Sequence, residues 1–173
     1  MALDSRQLEA LTRASRDDLD IAERIARLED LEAIRNLKSL YVGYCDPYDP
    51  EGFASVFAPD GVWQGGDYGE YRGYEALRDF IANDVRDDYV WTFHYLLRPL
   101  IELSDDRQTA TGEFYAHIYE VLHDDTAPHG QRSVVAFARY FDEFVKIDGQ
   151  WRIAHVRAET SRLHRMNNDW IIP

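Results

Sequence analysis

The sequence predicts an α+β domain, a strongly bent mixed or antiparallel sheet wrapped around N-terminal helices. Three observations predict it. Helical periodicity is confined to the first half of the 173 residues. Four strand-like stretches of about a dozen residues each fill the second half, longer than the usual five or six. The last two of them are joined by Asp148-Gly149, a strong hairpin signal.

Each element has a local cause. Ile21, Ile25, Leu28, Leu31, Ile34, Leu37 and Tyr41 recur at spacings of three and four, giving one apolar stripe on a helix. That helix should stop near Asp46, because Pro47 pushes the residue before it out of the α region. Asp49 as N-cap, Pro50 at the first position and Glu51 behind it predict a short second helix with Phe53, Val56 and Phe57 inward. Asp60-Gly61 reads as a turn. Val62–Gln64 and Tyr71–Gly73 read as short strands around a glycine-rich turn, and Glu75–Val85 as a third helix. The long strands are expected at Trp91–Leu103, Thr109–Leu122, Ser133–Val145 and Trp151–Leu163. Gly112 and other small positions suit a sharp bend. The reading is one domain over 1–173, with 1–16 a flexible or extended N-terminal segment.

Composition narrows the partners. A formal net charge of −13 repels phosphate backbones and anionic lipid heads, so neither nucleic acid nor a membrane surface is expected. No apolar run approaches the ~20 residues of a membrane span. The charged N-terminus lacks the apolar core of a signal peptide. Cys45 is the single cysteine, which fits a reducing compartment, and a cytoplasmic location is expected. Eleven Tyr and four Trp supply enough rings to line a pocket for flat, ring-containing ligands. No metal is expected, for want of HExxH, CxxC or a close His pair. No glycine-rich nucleotide motif and no GxSxG is present.

The candidate chemical residues follow. In Trp91–Leu103 one face reads Phe93, Tyr95, Leu97, Pro99, Ile101 and Leu103, and the other Thr92, His94, Leu96, Arg98, Leu100 and Glu102. A mixed face in an otherwise apolar strand suits a polar-spotted pocket, with His94 its reactive group; a core histidine satisfied by its neighbours would look similar. His117 shares a face with Thr111, Glu113, Tyr115 and Tyr119, which reads equally as a pocket or as a solvated surface. Asp46 sits at the negative end of a helix, where a carboxylate is disfavoured unless a partner such as an imidazole N–H holds it; a turn-forming Asx before proline is the alternative. Tyr41, on the apolar stripe, reads first as core.

The stretches RLEDLEAIRNLKSLYVGYCD, EGFASVFAPDGVW, YRGYEALRDFI, FHYLLRP, ATGEFYAHI and YFDEFVKIDGQWRIAHVR together resemble the SnoaL-like branch of the NTF2-like superfamily, over roughly residues 27 to 158. That resemblance implies a cone-shaped fold. Asp46 at the first helix end with His94 in the first long strand is similar to the Asp–His pair of scytalone dehydratase, bile acid 7α-dehydratase and γ-hexachlorocyclohexane dehydrochlorinase. It implies that His94 is a general base oriented by Asp46, that Tyr41 or His117 is the acid, and that Trp63 lines the pocket; Leu96 and Arg98 on the His94 face, Tyr115 on the His117 face and His155 in the last strand are the other expected lining residues. The dehydrochlorinase has a pocket arginine in its last strand; Val156 stands there in this chain, flanked by His155 and Arg157.

The implied activity is a cofactor-independent dehydratase or lyase acting on a small hydrophobic, aromatic or polycyclic substrate. Three other readings stay open at this level. One is an isomerase of ketosteroid-isomerase or polyketide-cyclase type. Another is a non-catalytic ligand-binding or accessory subunit resembling the β subunit of ring-hydroxylating dioxygenases. The third is a pure assembly module that packs through the convex face of its sheet. A homo-oligomer is expected, a trimer before a dimer, through the Phe93, Tyr95, Leu97 and Ile101 face. Trp170, Ile171 and Ile172 are expected to close the cavity or dock on a neighbour.

Overall fold

The computed structural model describes Thr12 and residues 18–166, without the side chains of Arg98 and Pro128. The remaining positions of the N-terminal 1–16 segment and the Trp170, Ile171 and Ile172 tail lie outside the described residues. Helix α1 (Ile21–Cys45) is followed by α2 (Pro50–Ser55), strands β1 (Phe57–Gly65) and β2 (Gly69–Arg72), and α3 (Tyr74–Asp79), which continues as a π-helical turn over Phe80–Val85. Strands β3 (Tyr89–Leu103), β4 (Thr109–His123), β5 (Gln131–Ile147) and β6 (Gln150–Arg165) complete the chain. They form one curved, unclosed sheet in the order β2-β1-β6-β5-β4-β3. All neighbours are antiparallel except β1 and β6, which run parallel.

The N-caps behave as their chemistry requires, whereas Asp46, expected outside the α region before Pro47, keeps helical φ and ψ of −60° and −42° as the C-cap of α1. Asp20 accepts the Glu23 N–H at 2.8 Å and starts α1; Asp49 accepts the Gly52 N–H at 2.9 Å and starts α2. The β5–β6 hairpin turns on Asp148 and Gly149, with φ of 49° and 77°, the two positive values a tight right-twisted hairpin demands. Asp60 and Gly61, expected to form a turn, instead lie inside β1, where the pairing with β6 shifts between Phe57 and Val62. A bulge absorbs the irregularity without ending the strand.

Helix α1 crosses the concave face of the sheet, but only its C-terminal part is buried by it. Ile34, Leu37 and Tyr41 are core, whereas Ile21, Ile25 and Leu28 are exposed, Ile21 at 69% and Leu28 at 65%. The apolar stripe therefore outruns its partner. The reason is geometric: α1 meets the strand ends at Asp30. There Lys146 at the end of β5 donates at 2.5 Å, Trp151 at the start of β6 donates its indole N–H at 2.9 Å, and Arg107 of the β3–β4 turn donates at 3.3 Å. Burial pushes the Asp30 carboxyl up, but Lys146, Trp151 and Arg107 together hold it below the ordinary value.

One bulge decides which residues of β3 face inward. The β3–β4 register shifts between Leu97 and Leu100. Phe93, Tyr95 and Leu97 are exposed on the outer face, while Ile101 and Leu103 beyond the bulge are buried in the core. The apolar face expected to run unbroken from Phe93 to Leu103 is thus split between the two sides of the sheet, because one extra residue flips the alternation. Opposite this bulge Gly112 pairs with Ile101, and a Cβ there would sit 2.7 Å from the Phe114 ring and 2.9 Å from the Phe144 ring. The glycine lets two core rings close over the bend.

Candidate active site

A cavity of about 600 Å³ lies between α1, the π-helical turn and the concave face of β3–β6. Each element contributes for a local reason. From α1 come Tyr41 and Cys45, one helical turn apart on the buried stripe. Thr92 and His94 come from β3, Ile118 and Glu120 from β4, Ala136, Ala138 and Tyr140 from β5, and Ala158, Thr160 and Leu163 from β6. The period of two within each strand selects them, and a register shift between Phe137 and Ala138 brings in Leu163, opposite Ala136, after Thr160. Trp63, Tyr68, Phe80 and Tyr89 close the aromatic side, with Trp63 and Phe80 at a ring separation of 4.3 Å.

Asp46 ends α1 as its C-cap, its own N–H bonded to the Val42 carbonyl. Its carboxylate meets β3 with three donors. Oδ1 lies 2.5 Å from His94 Nδ1 and 3.3 Å from Thr92 Oγ1, and Oδ2 accepts the His94 backbone N–H at 3.2 Å. These donors offset the unfavourable helix end. With Nδ1–H given to Asp46, the His94 tautomer leaves Nε2 with its lone pair.

Tyr41 is both core and cavity wall. Its hydroxyl accepts the Trp63 indole N–H at 2.9 Å, which leaves its own O–H free to donate. Burial, reinforced by Tyr140, Cys45 and Asp142, pushes this phenol well above its ordinary value, and the Trp63 bond offsets only part of that rise. Tyr41 is thus a neutral donor. Cys45 is also driven up, to about 12, chiefly by burial, so its thiol is unreactive.

Beneath the cavity floor Lys38 and Asp142 are fully buried and paired at 2.8 Å. The Lys38 ammonium sits 4.0 Å from the Tyr41 ring centroid and 4.1 Å from that of Tyr140. Burial drives lysine down and aspartate up, and their mutual attraction opposes both shifts.

Not every expected residue reaches the cavity. His117 and Tyr115 lie on the outer face of β4, opposite the inward Phe114, Ala116, Ile118 and Glu120. His117 packs its ring on Phe137, and Arg139 stacks over Tyr115. Strand alternation, unreadable in sign from the sequence, put them there. Leu96 packs half-buried on the core but does not line the cavity. The side chain of Arg98 lies outside the described residues. His155 is also absent from the lining; its Nε2 is buried with no hydrogen-bond partner among the described residues, close enough for its charge to act on Asp142. Arg157 faces away, stacked on Phe141 and paired with Glu159. Trp63 does line the cavity.

The residue that sequence reasoning missed is Glu120. It is 8% exposed, lines the cavity, and forms no hydrogen bond or ion pair among the described residues. Burial pushes its carboxyl up to about 7. The signal was present: a carboxylate three residues beyond His117, on the opposite face of the same strand.

Comparison with known proteins agrees with this architecture. A model for a SnoaL-like domain matches residues 26–157. A type 2 LinA hexachlorocyclohexane dehydrochlorinase superposes with a TM-score of 0.78 at 22% identity, covering 87% of this chain and 97% of its own. LinA-type3 from Novosphingobium barchaimii LL02 gives 0.77 at 21% identity, over 87% and 99%. An NTF2-like superfamily protein from Salmonella enterica serovar Typhimurium LT2 gives 0.68 at 21% identity, over 79% and 94%. At these identities the likeness is one of fold. No curated protein matches the sequence. The domain model spans most of the chain and the folds agree: the chain belongs to the SnoaL-like domain family.

Proposed function

We propose that this chain is a cofactor-independent lyase that removes a carbon-bound proton from a small ring compound and eliminates water. One observation carries the reading: the Asp46 carboxylate 2.5 Å from His94 Nδ1, with His94 lining a 600 Å³ cavity rich in aromatic rings. His94 Nε2 takes the proton, the C–H electrons form the new double bond, and the C–O bond breaks as the hydroxyl takes the Tyr41 O–H proton and leaves as water; solvent then returns the His94 proton to Tyr41. Asp46 fixes the tautomer and stabilises the imidazolium. Tyr41 donates to the oxygen on which charge builds. Of the two acids expected, Tyr41 is the one at the cavity. The dehydrochlorinase neighbours support the elimination class through their fold.

The test is a panel of β-hydroxy ring ketones followed by ultraviolet absorbance of the conjugated product. His94→Ala and Asp46→Asn are each expected to slow turnover by ~10²–10⁴ with the circular dichroism spectrum unchanged. A His94→Ala protein that turns over at the wild-type rate overturns the mechanism.

Two further parts belong to this reading. The exposed outer strip of Phe93, Tyr95 and Leu97 supports a homo-oligomer, and the resemblance to the dehydratases favours a trimer before a dimer. The single cysteine supports a cytoplasmic location.

A further inference from the structure

We infer that the cavity selects ring compounds bearing a protonated amine, with the Glu120 carboxylate as the ammonium anchor. The inference rests on the reading of this cavity as the ligand site. The first observation is the charge of the wall. Of the described residues that line it, Glu120, Asp67 and Asp88 are carboxylates, and none is lysine or arginine. Arg157, beside the lining residue Ala158 in β6, faces away onto Phe141. Lys38 lies behind the Tyr41 and Tyr140 rings and is consumed by Asp142.

The second observation is Glu120 itself. It is more than nine-tenths buried, it lines the cavity, and it has no hydrogen-bond or ion-pair partner among the described residues. A buried carboxyl without a cation costs free energy, and a cationic ligand would supply the missing charge. Its surroundings suit that ligand. Glu120 is near enough for its charge to act on Tyr89 of β3 and Tyr140 of β5, whose ring faces attract cations. Asp67 and Asp88, both exposed at the rim, add to a negative field that draws cations in and turns anions away.

Three probes with one ring system separate charge from shape: 1-naphthylmethylamine, 1-naphthalenemethanol and 1-naphthoic acid, titrated calorimetrically at pH 7.5. The amine is expected to bind at least about tenfold tighter than the alcohol, and the acid weakest of the three. Glu120→Gln, nearly isosteric, should remove the amine's advantage while the alcohol keeps its affinity, which also reports that the cavity is intact. An acid or alcohol that binds as tightly as the amine overturns the inference and leaves the elimination reading standing. So does an amine preference that survives Glu120→Gln. If none of the three binds, the cavity is not a ligand site and both readings fall together.

Discussion

Asp46 and His94 show how a residue unfavourable by local rules is rescued by a distant one. A carboxylate at a helix C-terminus opposes the backbone dipole, yet three donors from β3 converge on Asp46. Glu120 has no such rescue, and this has a measurable consequence. Its folded carboxyl titrates near 7 because burial disfavours the charged form, whereas an unfolded glutamate titrates near ~4.3. The folded state therefore holds the proton longer. The resulting stabilisation is complete below the unfolded value and is lost as pH rises through 7. Of the groups its charge reaches, burial lifts Cys45 and Tyr89 to about 12 and Tyr140 well above its ordinary value, so these three stay protonated across that window, and His94 of the same cavity is common to both proteins compared. Wild-type stability should fall by about 3 kcal/mol more than that of Glu120→Gln between pH 5 and pH 8, measured by urea unfolding. Parallel pH dependences would place Glu120 in contact with water.

At the scale of elements, α1 is tied to the sheet at two depths. Asp30 gathers Lys146, Trp151 and Arg107 at the strand ends, and Lys38 pairs with Asp142 in the interior. The deeper tie is the costly one. Both charges are stripped of water, and only their attraction and the flanking tyrosine rings compensate. Lys38→Met leaves Asp142 buried and uncompensated, and should destabilise the fold by about 3–5 kcal/mol. Lys38→Met combined with Asp142→Leu should recover much of that loss. A double variant destabilised by the sum of the losses in Lys38→Met and Asp142→Leu alone, read by denaturant unfolding, would show that the pair carries no coupling. In β3, alternation offers His94 to the cavity and Tyr95 to solvent, and the bulge between Leu97 and Leu100 turns Ile101 into the core.

At the scale of the whole molecule, the sheet has two unlike faces. The concave face carries the helices and the cavity; the outer face carries Phe93, Tyr95 at 54% exposure, and Leu97 in a row on β3. Rings and aliphatic groups in such a row are costly in water, and covering them with a second copy removes the cost. Analytical ultracentrifugation is expected to show an oligomer that Tyr95→Lys dissociates to monomers. A wild-type monomer at high micromolar concentration would remove the basis for the trimer.

What the sequence determined by itself was the material of each element. Periods of three to four and of two marked α1 and the long strands; Asp49-Pro50 and Asp148-Gly149 marked a helix start and a hairpin, because these signals act within a few residues. The pairing of Asp46 with His94 was legible only through the family resemblance. Which side of β4 faces inward was not legible: alternation gives two faces without naming the inner one, so His117 was preferred and Glu120, on the other face, was passed over. Nor did the stripe of α1 reveal that Ile21, Ile25 and Leu28 run past the sheet. Those matters belong to the tertiary structure, because burial depends on what packs across a face, and a single bulge reverses it.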